Sequence, residues 1–124
     1  MKGAKLVGTS AENLGQVLEP SSFDVVFCNN ALDHTQSPRV SLENMVKVVR
    51  NNGYIVIAGH SMEGTHENWD GIHMHDLYVE GGQLWRSGEN EPGVILNHSL
   101  PLDVTYFVEP SEQHGRMVIV FYKL

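Results

Sequence analysis

"FDVVFCNNALDHTQSPRVSLENMVKVVRNNGYIVIA", residues 23 to 58, decides the fold. Its first seven residues, Phe23 to Asn29, are β-branched and apolar around one aspartate, the pattern of a buried parallel strand. A helix signal follows. Ser37 can N-cap it and Pro38 suits its first position. Leu42, Met45, Val46 and Val49 recur at i, i+3, i+4 and i+7. The reading carries this helix to Gly53, with Lys47 and Arg50 near its negative end. Tyr54 to Ala58, "YIVIA", is then a second buried strand. Strand, helix and strand at this spacing make a parallel crossover unit.

Working outward, Leu6 and Val7 form a short apolar stretch that reads as an earlier strand. "SAENLGQVLEP" places Ala11, Leu14, Val17 and Leu18 on one helical face, and Pro20 stops it. Gly15 weakens that helix by about 1 kcal/mol of propensity. Downstream, "DLYVEGGQLWRSG" is a hairpin turning at Gly81-Gly82. "DVTYFVE" and "RMVIVFYKL" are two further strands, and the short polar loop between them suits an antiparallel pair. The expected fold class is α/β: a partial Rossmann-like sheet with a parallel βαβ core and antiparallel C-terminal strands. Residues 1–59 form the core side and residues 60–124 the cover side of one domain.

Composition bounds the possibilities. The chain has 124 residues, enough for one core and not for two. Its net charge of -7, from 15 acidic and 8 basic residues, argues against a nucleic-acid backbone as partner. Cys28 is the single cysteine, so no internal disulfide and no cysteine-rich zinc site is available. Neither a signal-peptide core nor a membrane-length apolar run is present, and a cytoplasmic location is expected.

In open α/β sheets ligands bind beyond the carboxyl ends of the strands. Three such ends turn from apolar to small and polar: Thr9-Ser10-Ala11, Cys28-Asn29-Asn30 and Gly59-His60-Ser61. At these residues a resemblance emerges. "GTSAENL" followed by "SSFDVVFCNNALDHTQSPRVSLENMVKVVRNNGYIVI" resembles the middle and later motifs of class I S-adenosylmethionine-dependent methyltransferases of the type 11 kind. That family reads Gly-Asp-Ala-Glu-x-Leu-Pro, then Ser-Phe-Asp-Val-Val, then Leu-x-His and Asp-Pro. A helix ending in Arg-Val-Leu-Lys-Pro-Gly-Gly and a strand come next. The match covers residues 6 to 58.

The resemblance implies methyl transfer from S-adenosylmethionine to an unidentified acceptor, small-molecule or otherwise. It implies that Ser10 and Ala11 face the adenine, and that Asn29 and Ala31 contact the methionine portion, mainly through backbone. Ser10 replaces the family's adenine-binding aspartate, so that contact is weaker or different. His34, beside Asp33, is the candidate to orient the acceptor or take its proton. The family's Gly-x-Gly-x-Gly loop and ribose-binding acid precede this region, and only five residues precede Leu6. The chain therefore resembles a truncated, C-terminal half, and weak or absent cofactor binding is expected. In the family's sheet the missing strands lie beside Phe23–Asn29. Their loss exposes an apolar edge, so a homodimer through that edge, or rearranged strands refilling it, is expected. The alternative is a non-catalytic scaffold for dimerisation or partner binding. A nicotinamide-type domain is disfavoured because no Gly-x-Gly-x-x-Gly follows a strand.

The remaining chemistry-bearing residues read blandly. His73 and His75 would share a face in a strand, yet no third ligand is set by spacing, so no metal site is assigned. Trp69 and Trp85 read as packing residues, Cys28 as an inert core thiol, and Glu63, Glu67 and Asp70 as a solvated acidic patch.

Overall fold

A computed structural model describes residues 6–112 and 114–124. A 3-10 turn, Ala11–Asn13, runs into the short helix α1, Leu14–Val17. Strand β1, Phe23–Asn29, is followed by a 3-10 turn at Leu32–His34 and by α2, Pro38–Val48. Then come β2, Val49–His60, and the single-turn helix α3, Glu63–His66. β3, Asp76–Glu80, and β4, Gln83–Ser87, form the expected hairpin, turning at Gly81 and Gly82, both with positive φ. β5, Val94–Ile95, adds a short third strand that the sequence reading did not include. β6, Leu102–Val108, and β7, Arg116–Lys123, end the chain.

Two sheets result. The larger has the order β1-β2-β7-β6 and the smaller β3-β4-β5. β1 and β2 are parallel, whereas β7 runs antiparallel to both β2 and β6. The α/β class with an antiparallel C-terminal edge is therefore as expected. No helix among the described residues is long and apolar enough to cross a membrane.

Two local expectations are corrected. Residues 6–10 form no strand; Leu6 is 95% exposed. Met1 to Lys5 lie outside the described residues. The second correction concerns the end of α2, which stops at Val48 instead of running to Gly53. The reason lies in where its last carbonyls go, since a helix C-terminus leaves four of them without intrahelical donors. Val49 N donates to Met45 O. Ser21 N and Ser22 N, on the approach to β1, donate to Lys47 O and Val48 O, both at 2.9 Å. The buried Lys123 Nζ, on the last strand, donates to Val46 O at 2.6 Å and Val49 O at 2.8 Å. With every carbonyl from Met45 to Val49 accepting, continuing the helix gains nothing, and Val49 pairs with Phe23 instead. Arg50 thus sits on β2 beyond the helix, with Nε donating to Asp24 Oδ1 at 2.7 Å. At the N-terminus of α2 the expected cap is present: Ser37 Oγ accepts from Val40 N.

The core follows from strand alternation. Ile55 and Ile57 of β2 pair with Phe121 and Ile119 of β7, all four at most 1% exposed. They face Leu42, Met45 and Val46 of α2, and the same cluster takes in Leu77, Val79, Leu84 and Leu96 from the small sheet. Arg39 fastens that sheet to α2, donating from Nη1 to Leu96 O and His98 O. Gly15 lets α1 sit directly on α2: its N donates to Asn44 Oδ1 at 2.7 Å, and a Cβ would stand 2.8 Å from Lys47 Cδ.

The opposite face of the large sheet is left partly uncovered by the described residues. Val25 and Phe27 of β1 are 53% and 64% exposed, and Tyr54 and Tyr106 share this condition. Exposure of β1 as an open apolar edge was expected; exposure across a whole face goes further.

Lys123→Met should destabilise the chain by about 2–3 kcal/mol, because it strips charged donors from two buried carbonyls. Urea unfolding measures this; a midpoint unchanged from wild type would refute the capping role.

Candidate functional site

The parallel pairing of β1 and β2 brings Cys28 opposite Ile57 and Asn29 opposite Ala58. One residue later Asn30 N donates to Ala58 O at 2.9 Å. Both strands therefore release the chain at the same rim. The chain leaving β1 turns at once into the 3-10 segment that carries Asp33 and His34. Leaving β2, it passes Ser61, whose N donates to Gly115 O, and enters α3 with Glu63 at its start.

Two cavities open along this rim and share His34. The first, of about 610 Å³, is lined by Ser10, Ala11, Glu12 and Asn13 on one side and by His34, Thr35 and Gln36 on the other. The second, of about 230 Å³, is lined by Asn30, Asp33, His34, His60, Glu63 and His73. The structure thus brings Ser10, Ala11 and His34 together at one cavity. Asn29 and Ala31 lie on the same rim, are exposed, and line neither cavity. Asn29 Oδ1 accepts from Arg116 Nη2 at 2.8 Å. The larger cavity falls within the size range of small-molecule sites.

The second cavity joins His34 and its neighbour Asp33 to Glu63 and His73, two residues the sequence reading gave no role. Asp33 is 5% exposed, and burial pushes its carboxyl above the usual range, with His34 partly offsetting the shift. Its Oδ2 lies 3.3 Å from His34 Nε2 without hydrogen-bonding geometry. Glu63 belongs to no solvated patch. Its side chain is 16% exposed, Oε1 is 2.8 Å from His114 Nε2, and Oε2 is 3.6 Å from His73 Nδ1. Glu67 and Asp70 are exposed as expected.

His73 and His75 do not share a strand face. His73 points into the cavity, its ring edge-on to His34 at 5.0 Å. His75 is buried elsewhere: Nδ1 accepts from Arg86 Nε at 2.9 Å, and Nε2 lies 3.1 Å from Gln36 O. Burial, reinforced by Arg86, lowers its pKa and keeps it neutral.

Local packing sets these positions. Asp76 accepts from Thr65 N at 2.8 Å and from the Thr65 hydroxyl, pinning α3. Trp69, with φ of 60°, lies against Gly64, where a Cβ would come 2.4 Å from the indole. Trp85 stacks on Tyr78 at 6.1 Å. Both tryptophans pack, as expected. The missed Glu63 carried one usable signal: it follows the exit of β2 at His60 by three residues.

Comparisons with known proteins bear on this arrangement. Residues 2–57 match a family model described as a methyltransferase domain. Superposition on an S-adenosylmethionine-dependent methyltransferase from Clostridium acetobutylicum gives a TM-score of 0.61 at 10% identity, over 98% of this chain and 65% of that one. The chain has the class I methyltransferase fold, in part. The N-methyltransferase NodS from Bradyrhizobium japonicum, solved with S-adenosyl-L-homocysteine, aligns with a TM-score of 0.56 and 16% identity, over 93% of this chain and 52% of that one. The Burkholderia thailandensis 1,6-didemethyltoxoflavin-N1-methyltransferase aligns at 0.53 and 16% identity, over 89% of this chain and 48% of its own. The chain thus spans about half to two-thirds of these methyltransferases. No curated protein matches it in sequence.

Cys28, half-buried on β1, has its thiol pushed up by burial and then by the charge of Asp33. A raised thiol pKa means less thiolate at any pH below it, and the thiolate is the reactive form. Labelling with a thiol reagent at pH 8 should run at least about tenfold slower in the folded chain than in urea. Equal rates would show Cys28 to be freely accessible.

Proposed function

We propose that the chain works as the acceptor-side part of an S-adenosylmethionine-dependent methyltransferase. The observation that carries this reading is the pair of adjoining cavities that share His34 at the rim where β1 and β2 end. The larger cavity suits the adenine end of the donor. Its lining at Ser10 and Ala11 is small, and the Ser10 hydroxyl is not consumed in capping the turn that follows. In this reading Asn29 and Ala31, farther along the rim, contact the methionine portion through backbone.

The donor, when bound, supplies an electrophilic methyl group. The chain's own task is alignment and exclusion of water, and such a displacement needs no dedicated nucleophile from the protein. His34, between the cavities, orients the acceptor and can accept its proton at a ring nitrogen. Asp33 lies beside it, its Oδ2 3.3 Å from His34 Nε2. Residues 60–124 then form the cover of the acceptor cavity, and residues 1–59 the donor side, within one domain. The acceptor of this reading is a small molecule, in keeping with the 230 Å³ of the second cavity.

Donor affinity should be weak, because no glycine-rich loop or ribose-binding acid occurs among residues 6–58. Calorimetry with S-adenosylhomocysteine should give a dissociation constant in the high micromolar range, about 10⁻⁴ M. Ala11→Trp, which fills the larger cavity, should abolish it. No heat at millimolar ligand would overturn the reading.

The bare sheet face supports self-association through β1. Burying Val25 and Phe27 gains about 1.5–3 kcal/mol each, and the unpaired backbone edge of β1 offers a ladder to a second copy. Light scattering should give a dimer mass, and Phe27→Lys should return the chain to monomer. A strictly monomeric wild type would remove this part of the proposal.

A further inference from the structure

We infer that Asp33, His34, His73 and Glu63 form a binding site for a single divalent transition cation of the zinc class. This inference does not depend on the methyl-transfer reading. One ligand atom each from Asp33, His34 and His73 lies within 4.8 Å of the other two. Glu63 Oε2 stands 3.6 Å from His73 Nδ1, which adds the fourth donor. Tetrahedral ligation at about 2.1 Å sets its ligand atoms about 3.4 Å apart. The His34–Asp33 and His73–Glu63 separations, 3.3 and 3.6 Å, already have that value. Glu63 groups with His73 and Glu67 and not with Asp33 and His34, so a four-ligand site requires side-chain rotation to bring it in.

Two further observations point to an ion. Asp33 Oδ2 and His73 Nδ1 are buried, face this cavity and have no hydrogen-bond partner among the described residues. A buried acceptor left in that state costs about 1–3 kcal/mol, and a coordinated cation removes the cost at both atoms at once. The charge balance agrees. The cavity lining holds two carboxylates, Asp33 and Glu63, and no lysine or arginine. Two imidazoles and two carboxylates make a neutral site with a doubly charged ion, and mixed nitrogen and oxygen donors select a borderline metal over magnesium or calcium.

Around the ligands the structure supplies support. His114 Nε2, 2.8 Å from Glu63 Oε1, holds that carboxylate by its other oxygen, the usual arrangement behind a metal ligand. His114 in turn stacks on His66 with ring centroids 3.6 Å apart. His66 belongs to this outer layer and not to the ligand set.

The test is titration of the chelator-stripped chain with Zn²⁺ by calorimetry, with Co²⁺ absorption as a spectroscopic reporter. One equivalent should bind at micromolar strength or tighter, and Co²⁺ should develop visible ligand-field bands. Asp33→Asn and His73→Gln should each weaken binding at least tenfold, while His98→Gln, at an exposed position, changes nothing. Asp33 lies against the core and its variant needs a folding check by thermal melting. His73 sits on a half-exposed loop, so its variant keeps the test decisive. Zn²⁺ should also raise the melting temperature of wild type and not of His73→Gln. Absence of stoichiometric binding, or binding unaffected by His73→Gln, overturns the site. So does loss in His66→Gln with wild-type affinity in His73→Gln, which would move the ion to the histidine stack.

Discussion

Everything at the rim depends on the parallel register of β1 and β2. Parallel strands release their chains at the same end, and here the pairing of Asn29 with Ala58 is extended by the Asn30 N to Ala58 O bond. A slip of one residue would turn Val26 and Cys28 out of the core and Val25 and Phe27 into it. It would also carry Asp33 and His34 away from Glu63. The antiparallel β7 completes the arrangement from the other side. It returns the β6–β7 loop to the same rim, where Gly115 O receives Ser61 N and His114 reaches Glu63.

The register in turn is held by the end of α2. A crossover helix that ended raggedly would leave β2 free to start at several positions. Three separate chain segments close the helix instead: the approach to β1 through Ser21 and Ser22, the start of β2 through Val49, and Lys123 from the final strand. Placing a lysine ammonium 9% exposed is costly, and two carbonyls at a helix C-terminus are the environment that offsets it. The two faces of the sheet contrast sharply. One is packed against α2 and the small sheet, while the other leaves Val25 and Phe27 in contact with solvent. Parallel strands are usually covered on both sides, which accords with a chain that spans only part of its structural relatives.

Much of the fold was legible because its signals are local and periodic. The apolar run of β1, the spacing of Leu42, Met45 and Val46, the Ser37-Pro38 start and the Gly81-Gly82 turn each act within a few residues. Where local signal competed with long-range contact, the reading failed. Val49 fits the helical stripe equally well as the first residue of β2, and only the donors arriving from Ser21, Ser22 and Lys123 decide between them. The site was legible on one side only. Ser10, Ala11 and His34 meet at a cavity, whereas Glu63 read as solvated because His114, which holds it, lies fifty-one residues away in the chain.

By itself the sequence determined the elements, their order and the rim at which polar residues emerge, because hydrophobic period and turn chemistry are written in neighbouring residues. The tertiary structure alone decided which of those polar residues converge. A carboxylate is solvated or buried, and a histidine is partnered or not, according to what distant strands bring beside it.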